Sequence, residues 1–179
     1  MRRPAPAAAF AAYFEPGKFI DHWVAETWEP LRNSWVRVDA QLDDVQRSLF
    51  KVDFDPLDVP GERFLDAGDA WARCRCGALD PDAFGFLDMH GLWFVAGNVV
   101  RDAAALNNME MLPWDCWGAM PRPGEAMAEG QLAFFDRLAG LTRDLDTSFD
   151  ELRARYDTGE DIKVPGVVFN AVLNRPDVV

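Results

Sequence analysis

The sequence is poor in thiols and places them late: of 179 residues three are cysteine, Cys74, Cys76 and Cys116, and none precedes residue 74. An odd count at this spacing makes a poor disulfide framework and points to a reducing compartment, so a cytoplasmic location is expected. Basic residues are the minority charge, with 18 Lys and Arg against 30 Asp and Glu and a net charge of −12. Nucleic acid or an anionic membrane would require a basic patch, so neither is expected as a partner. Long hydrophobic runs are missing as well. The longest apolar stretch, Gly91 to Val100, contains Asn98 and stops at Arg101 and Asp102, well short of the roughly 20 residues that span a bilayer. Met1-Arg2-Arg3 could open a secretory leader, but the alanine-rich stretch behind it is broken by Pro4 and Pro6 and runs straight into Tyr13, Phe14 and Glu15, which argues against one. Glycine-rich phosphate loops are absent, and Cys74, Cys76, Cys116 and His90 lack paired Cys-x-x-Cys spacing, so no cofactor and no metal are expected.

What remains is a chain able to bury a sizeable core: 49% of it is hydrophobic, with seven Trp and thirteen Phe. That suits one domain, or a domain with an appended lobe. Residues 9–14 form a short aromatic-ended strand closed by Glu15-Pro16-Gly17, a tight-turn signal. His22–Thr27 and Trp35–Asp39 alternate as strands. Beyond residue 43 the spacing turns helical. Phe64, Ala67, Trp71 and Cys74 recur after the turn signal Asp58-Val59-Pro60-Gly61, and Asp80-Pro81-Asp82 opens another element. Leu92, Val95, Val99, Ala103 and Leu106 form a long stripe, residues 124–145 supply a further helix, and Phe149, Leu152 and Tyr156 another. The pattern predicts an α+β chain with a strand-rich part over residues 1–50 and a mainly helical part over 51–179.

Pairing the two strands antiparallel with His22 opposite Asp39 sets Trp23 against Val38 and Ala25 against Val36 on an apolar face turned to the core. The other face then carries His22 with Asp39 and Val24 with Arg37, and Glu26 lies diagonal to Arg37 at ion-pair range. A slip by one residue would separate His22 from Asp39. A strand histidine bonded to a neighbour is the plain interpretation; a general base oriented by a carboxylate is the chemical one. Asn98, Arg101 and Asp102 interrupt the apolar helix, either as a solvated face, as an ion pair between lobes, or as a polar wall of a cleft.

Three segments, 10–19 (FAAYFEPGKF), 21–28 (DHWVAETW) and 35–43 (WVRVDAQLD), resemble the second half of a bacterial transglutaminase-like core domain. The stretches 91–94, 101–107 and 112–115 are similar to the helical extension of one bacterial subgroup, so the resemblance covers most of the chain. It implies a papain-like antiparallel sheet in the N-terminal third, with a helical C-terminal extension packed on it. It also implies that His22 is the family histidine and Asp39 the family aspartate, of a Cys-His-Asp site in the cysteine-protease superfamily. In that family a cysteine at a helix N-terminus precedes the histidine, and Met1–Ala9 would take the place of the link from that helix to the first strand. None of the 21 residues before His22 is cysteine, so the nucleophile is expected in a segment upstream, and the chain is expected to be inactive as it stands. Cys74, Cys76 and Cys116 are expected to be inert structural thiols. The activity implied is thiol acyl transfer or amide hydrolysis on a protein or peptide substrate, with Trp23 and Trp35 as substrate-binding side chains. The alternative is a non-catalytic peptide- or glycan-binding module on the same fold. Oligomeric state is open.

Overall fold

The computed structural model describes residues 5–179. The Met1–Pro4 part of the leader-like opening, and of the expected link, lies outside them. Among the described residues nine strands and five α-helices alternate irregularly, giving an α+β architecture with antiparallel sheets. The principal sheet contains β1 (Ala5–Ala11), β2 (Ile20–Glu29), β3 (Ser34–Val38) and β4 (Phe64–Asp66) in the order β3-β2-β1-β4. Glu15-Pro16-Gly17 closes the β1–β2 hairpin: Lys18 N–H donates to Glu15 O at 3.1 Å, and Gly17 takes φ 76°, a conformation that favours glycine.

The helical pattern assigned to Phe64 gives way to strand. Residues 64–66 pair with β1, Phe10 against Leu65, and the helix α2 (Ala67–Arg75) begins only after them. The sheet thus takes its fourth strand from beyond residue 50. Local spacing is ambiguous over three residues, and pairing with the distant β1 decides the conformation.

The β2–β3 register also departs from the expected one, by two residues. Ala25 faces Val38, Glu26 faces Arg37 and Thr27 faces Val36. A two-residue shift keeps every side chain on its face, so His22 and Asp39 remain on the same side. Both faces of the sheet are covered. On the expected side Phe10, paired with Asp21, joins the larger core and Val36 is buried, while Ala25 and Thr27 are exposed. On the His22 side Val24 and Glu26 are buried under the segment that follows β3. Here Leu42, Val59 and Phe64 join Ala9, Ala11, Tyr13 and Val24 in a small core, flanked by Val52 and Phe54. That segment includes α1 (Asp44–Phe50), opened by a capping box: Gln46 N–H donates to Asp43 Oδ1 at 2.8 Å, and Asp43 N–H to Gln46 Oε1 at 3.3 Å.

The larger core lies around the helix α3 (Leu92–Ala105), which packs on β1 and is buried at every position from Trp93 to Ala105. Such a helix is buried all round rather than along one stripe. Two short strands, β5 (Gly85–Phe86) and β6 (Met89–His90), precede it. Beyond it come β7 (Asp115–Cys116), α4 (Glu129–Arg143) and α5 (Leu145–Thr158), so the helix expected over 124–145 begins at residue 129. The C-terminal part is not uniformly helical. β8 (Val167–Asn170) and β9 (Arg175–Val178) form a hairpin, and β8 also pairs with β7. No helix among the described residues is long and apolar enough to cross a membrane.

Candidate functional site

β2 presents His22 with its side chain 11% exposed, and β3 ends one residue before Asp39. At Asp39 the chain leaves the ladder: its N–H donates to Pro56 O at 2.8 Å rather than to β2. The direction of its carboxylate is therefore set by side-chain and turn contacts. Gln41 N–H donates to Oδ1 at 3.0 Å, Tyr13 Oη donates to Oδ2 at 2.6 Å, and His22 Nε2 lies 2.8 Å from the same Oδ2. Asp39 is buried, at 1% exposure. Burial alone would raise its pKa, but the hydrogen bonds from His22 and Tyr13, with the imidazole charge and the Gln41 amide, hold it below the usual carboxylate value.

An ionised carboxylate only accepts hydrogen bonds, so His22 Nε2 carries the proton. In the neutral ring Nδ1 is then a lone pair, and it has no hydrogen-bond partner among the described residues. The rings of Phe14, at 4.9 Å, and Tyr13, at 6.1 Å, meet the imidazole edge-on and limit its rotation. The Tyr13 phenol is pushed far above its ordinary pKa, first by burial and then by the Asp39 carboxylate that receives its proton bond. This arrangement can accept a proton at Nδ1 and stabilise the resulting imidazolium through Asp39.

In the sequence Tyr13 stands only as an aromatic near the end of the first strand. Its position two residues beyond β1, before the Pro16-Gly17 turn, is what carries its hydroxyl to Asp39. No motif marks that contact, since it joins residues 26 positions apart.

The remaining expected site residues fall elsewhere. Strand alternation puts Trp23 on the face of β2 opposite His22, so the two side chains do not meet. Trp35 pairs edge-on with Trp28, ring centroids 5.6 Å apart, toward the other end of the His22 face. Between these positions Arg37 donates to Glu26 Oε1 at 3.3 Å and to Asp66 Oδ2, with its guanidinium 5.6 Å from the Phe64 ring centroid. The expected Glu26–Arg37 ion pair thus forms, directly across the ladder rather than diagonally. Trp35 borders two neighbouring cavities. One, of about 490 Å³, lies between the β3 edge and the α4–α5 corner, with Arg37, Asp66, Arg143 and Asp144 in its wall. The other, of about 300 Å³, is lined by Trp28, Trp35, Phe149, Asp146 and Asp150.

None of the three cysteines is disulfide-bonded. Cys74 belongs to α2 and Cys76 follows it; burial, the nearby Asp80 carboxylate and Cys76 push the Cys74 thiol up to about 11. Cys116 lies 4.0 Å from Arg101 Nη2, and burial raises its pKa against the lowering effect of that guanidinium. Asn98, Arg101 and Asp102 are all buried, so the solvated-face interpretation does not hold. Arg101 donates to Asp115 O at 2.9 Å, while its Nε and Nη1 have no partner among the described residues. Asp21, on the side of β2 away from His22, feels the Arg101 charge; burial raises its carboxyl all the same. His90 is exposed, 3.2 Å from Asp82 through Nδ1. Among the described residues no group of three His, Cys, Asp or Glu side chains is arranged to hold a metal ion.

No protein-family model, curated protein or solved structure matches this chain. The chemistry of the site therefore rests on its own geometry.

Proposed function

We propose that this chain carries the base and orienting acid of a thiol acyl-transfer or amide-hydrolysis site of transglutaminase-like, papain-like type. The observation that supports it is the Asp39–His22 contact of 2.8 Å, made through Nε2 and leaving Nδ1 as the working nitrogen. In this reading a thiol gives its proton to His22 Nδ1, and the sulfur attacks the carbonyl of a protein or peptide carboxamide. The protonated imidazole, steadied by Asp39, then delivers the proton to the departing amine. Water or an acceptor amine releases the acyl group from sulfur. None of the three cysteines forms a hydrogen bond with His22 among the described residues, so the sulfur is supplied from outside them. The chain alone is then expected to turn over no substrate, as loss of a nucleophile removes most of the rate.

The test supplies the sulfur separately. The protein is mixed with an activated acyl ester and a small thiol such as cysteamine, and thioester or amide product is followed. The expected result is a rate that falls about 10²-fold in His22→Gln, the scale of general-base catalysis, with Asp39→Asn also slower. Equal rates for wild type and His22→Gln would overturn the proposal.

A second interpretation, a non-catalytic peptide-binding module, draws on the cavity lined by Trp28, Trp35, Asp146 and Asp150. Aromatic faces beside carboxylates suit a cationic side chain. Binding of a lysine-rich peptide, lost in Trp35→Ala but kept in His22→Gln, would favour it.

A further inference from the structure

From the meeting of Tyr13 Oη and His22 Nε2 on one Asp39 oxygen, we infer that Tyr13 is a positioning residue that locks His22 in the tautomer with Nε2 protonated and Nδ1 free. The inference rests on the proposed role of His22 but makes its own claim about the ring. Asp39 has left the ladder when its carboxylate begins, and its backbone N–H is committed to Pro56 O. The carboxylate is instead held from three places: Tyr13 beyond the end of β1 at 2.6 Å, His22 on β2 at 2.8 Å, and the Gln41 amide beyond β3 at 3.0 Å. Gln41 holds Oδ1, so on the oxygen facing the imidazole Tyr13 is the second anchor.

The ring of Tyr13 is fixed independently of its hydroxyl. It packs against Phe14 at 4.7 Å and Phe54 at 5.2 Å. The hydroxyl therefore reaches Oδ2 from a frame that does not depend on Asp39. As a neutral donor it fills one lone-pair direction of Oδ2 and leaves the other for a single N–H from the imidazole. Without it the carboxylate can turn about its own bond, the Nε2–H contact loosens, and the imidazole regains access to its other tautomer. The phenol faces Asp39 and, edge-on, His22; Phe14 and Phe54 carry no charge.

The chain has two histidines and two tyrosines, which makes the test direct. Nitrogen-15 NMR of the imidazoles is recorded about two pH units above the usual histidine value, so that free rings are neutral, with His90→Gln assigning the His22 signals. Wild type is expected to show one tautomer, Nδ1 unprotonated. Tyr13→Phe, which keeps the ring, is expected to reduce the tautomer ratio about fivefold, the scale of one lost hydrogen bond. The same single tautomer in Tyr13→Phe would mean that Tyr13 only packs, and would overturn the inference. Should Tyr13→Phe not fold, Tyr156→Phe leaves Tyr13 as the one phenol whose ionisation is followed by ultraviolet absorbance. Adding Asp39→Asn is then expected to bring that ionisation to lower pH, and an unchanged onset overturns the inference. Neither readout needs a nucleophile or substrate, so failure here and failure of the thiol experiment are distinct results.

Discussion

Asp39 reaches His22 along a diagonal. Extending the β2–β3 register puts Asp39 opposite Val24, yet its Oδ2 lies 2.8 Å from His22 Nε2. The offset arises because Asp39 turns out of the ladder toward Pro56, which points its side chain back along β2. The oxygens it presents are satisfied by Tyr13 and Gln41 as well as by His22, and four expected outcomes follow from this frame and the packing around it.

At alkaline pH Tyr13 should limit stability. Its folded pKa lies far above the ordinary value near ~10, so the native state keeps a proton that the unfolded chain releases. Its stabilising contribution is complete below the unfolded value and is lost as pH rises above it, at up to about 1.4 kcal/mol per pH unit. Urea midpoints measured above pH ~10 should fall less steeply in Tyr13→Phe than in wild type.

On the acid side the sign reverses for Asp39, whose folded pKa is depressed. Its contribution is present above the unfolded value of ~3.9 and lost as pH falls toward the folded one. The stability difference between wild type and Asp39→Asn should therefore shrink on acidification below that value. A difference that stays constant through this range would contradict the hydrogen-bond assignment.

Helix packing offers a contrast between two glycines. A Cβ on Gly68 of α2 would meet Thr142 Oγ1 at 2.5 Å and Ala139 O at 2.8 Å, whereas one on Gly140 of α4 meets nothing within 4 Å. Alanine favours a helix over glycine by about 1 kcal/mol, so Gly140→Ala should raise the thermal midpoint. Gly68→Ala must push α2 from α4 and should cost about 1–3 kcal/mol, read from denaturant unfolding.

Arg37 serves Glu26, Asp66 and the Phe64 carbonyl at once. Arg37→Met removes the cation those two carboxylates share and should destabilise by about 3–5 kcal/mol. Chemical denaturation of the variant checks this; a loss below about 1 kcal/mol would place the pair among weak surface bridges.

Features that depend on near neighbours are legible in the sequence. A period of two fixed His22 and Asp39 to one face whether the register summed as expected or two residues over, since an even shift leaves each side chain on its side. The period of 3.6 found α3 and α5, and Pro16-Gly17 found the first turn. Only tertiary packing covered the His22 face of β2 as well as the face toward α3, because that depends on where the segment after β3 folds back. It decided that residues 64–66 extend along β1 instead of joining α2, and that residues 167–178 form a hairpin. It also brought Tyr13 to Asp39 and buried Arg101 beside Cys116. These contacts join residues far apart in the chain, and their geometry is set by how whole elements pack, which no local period records.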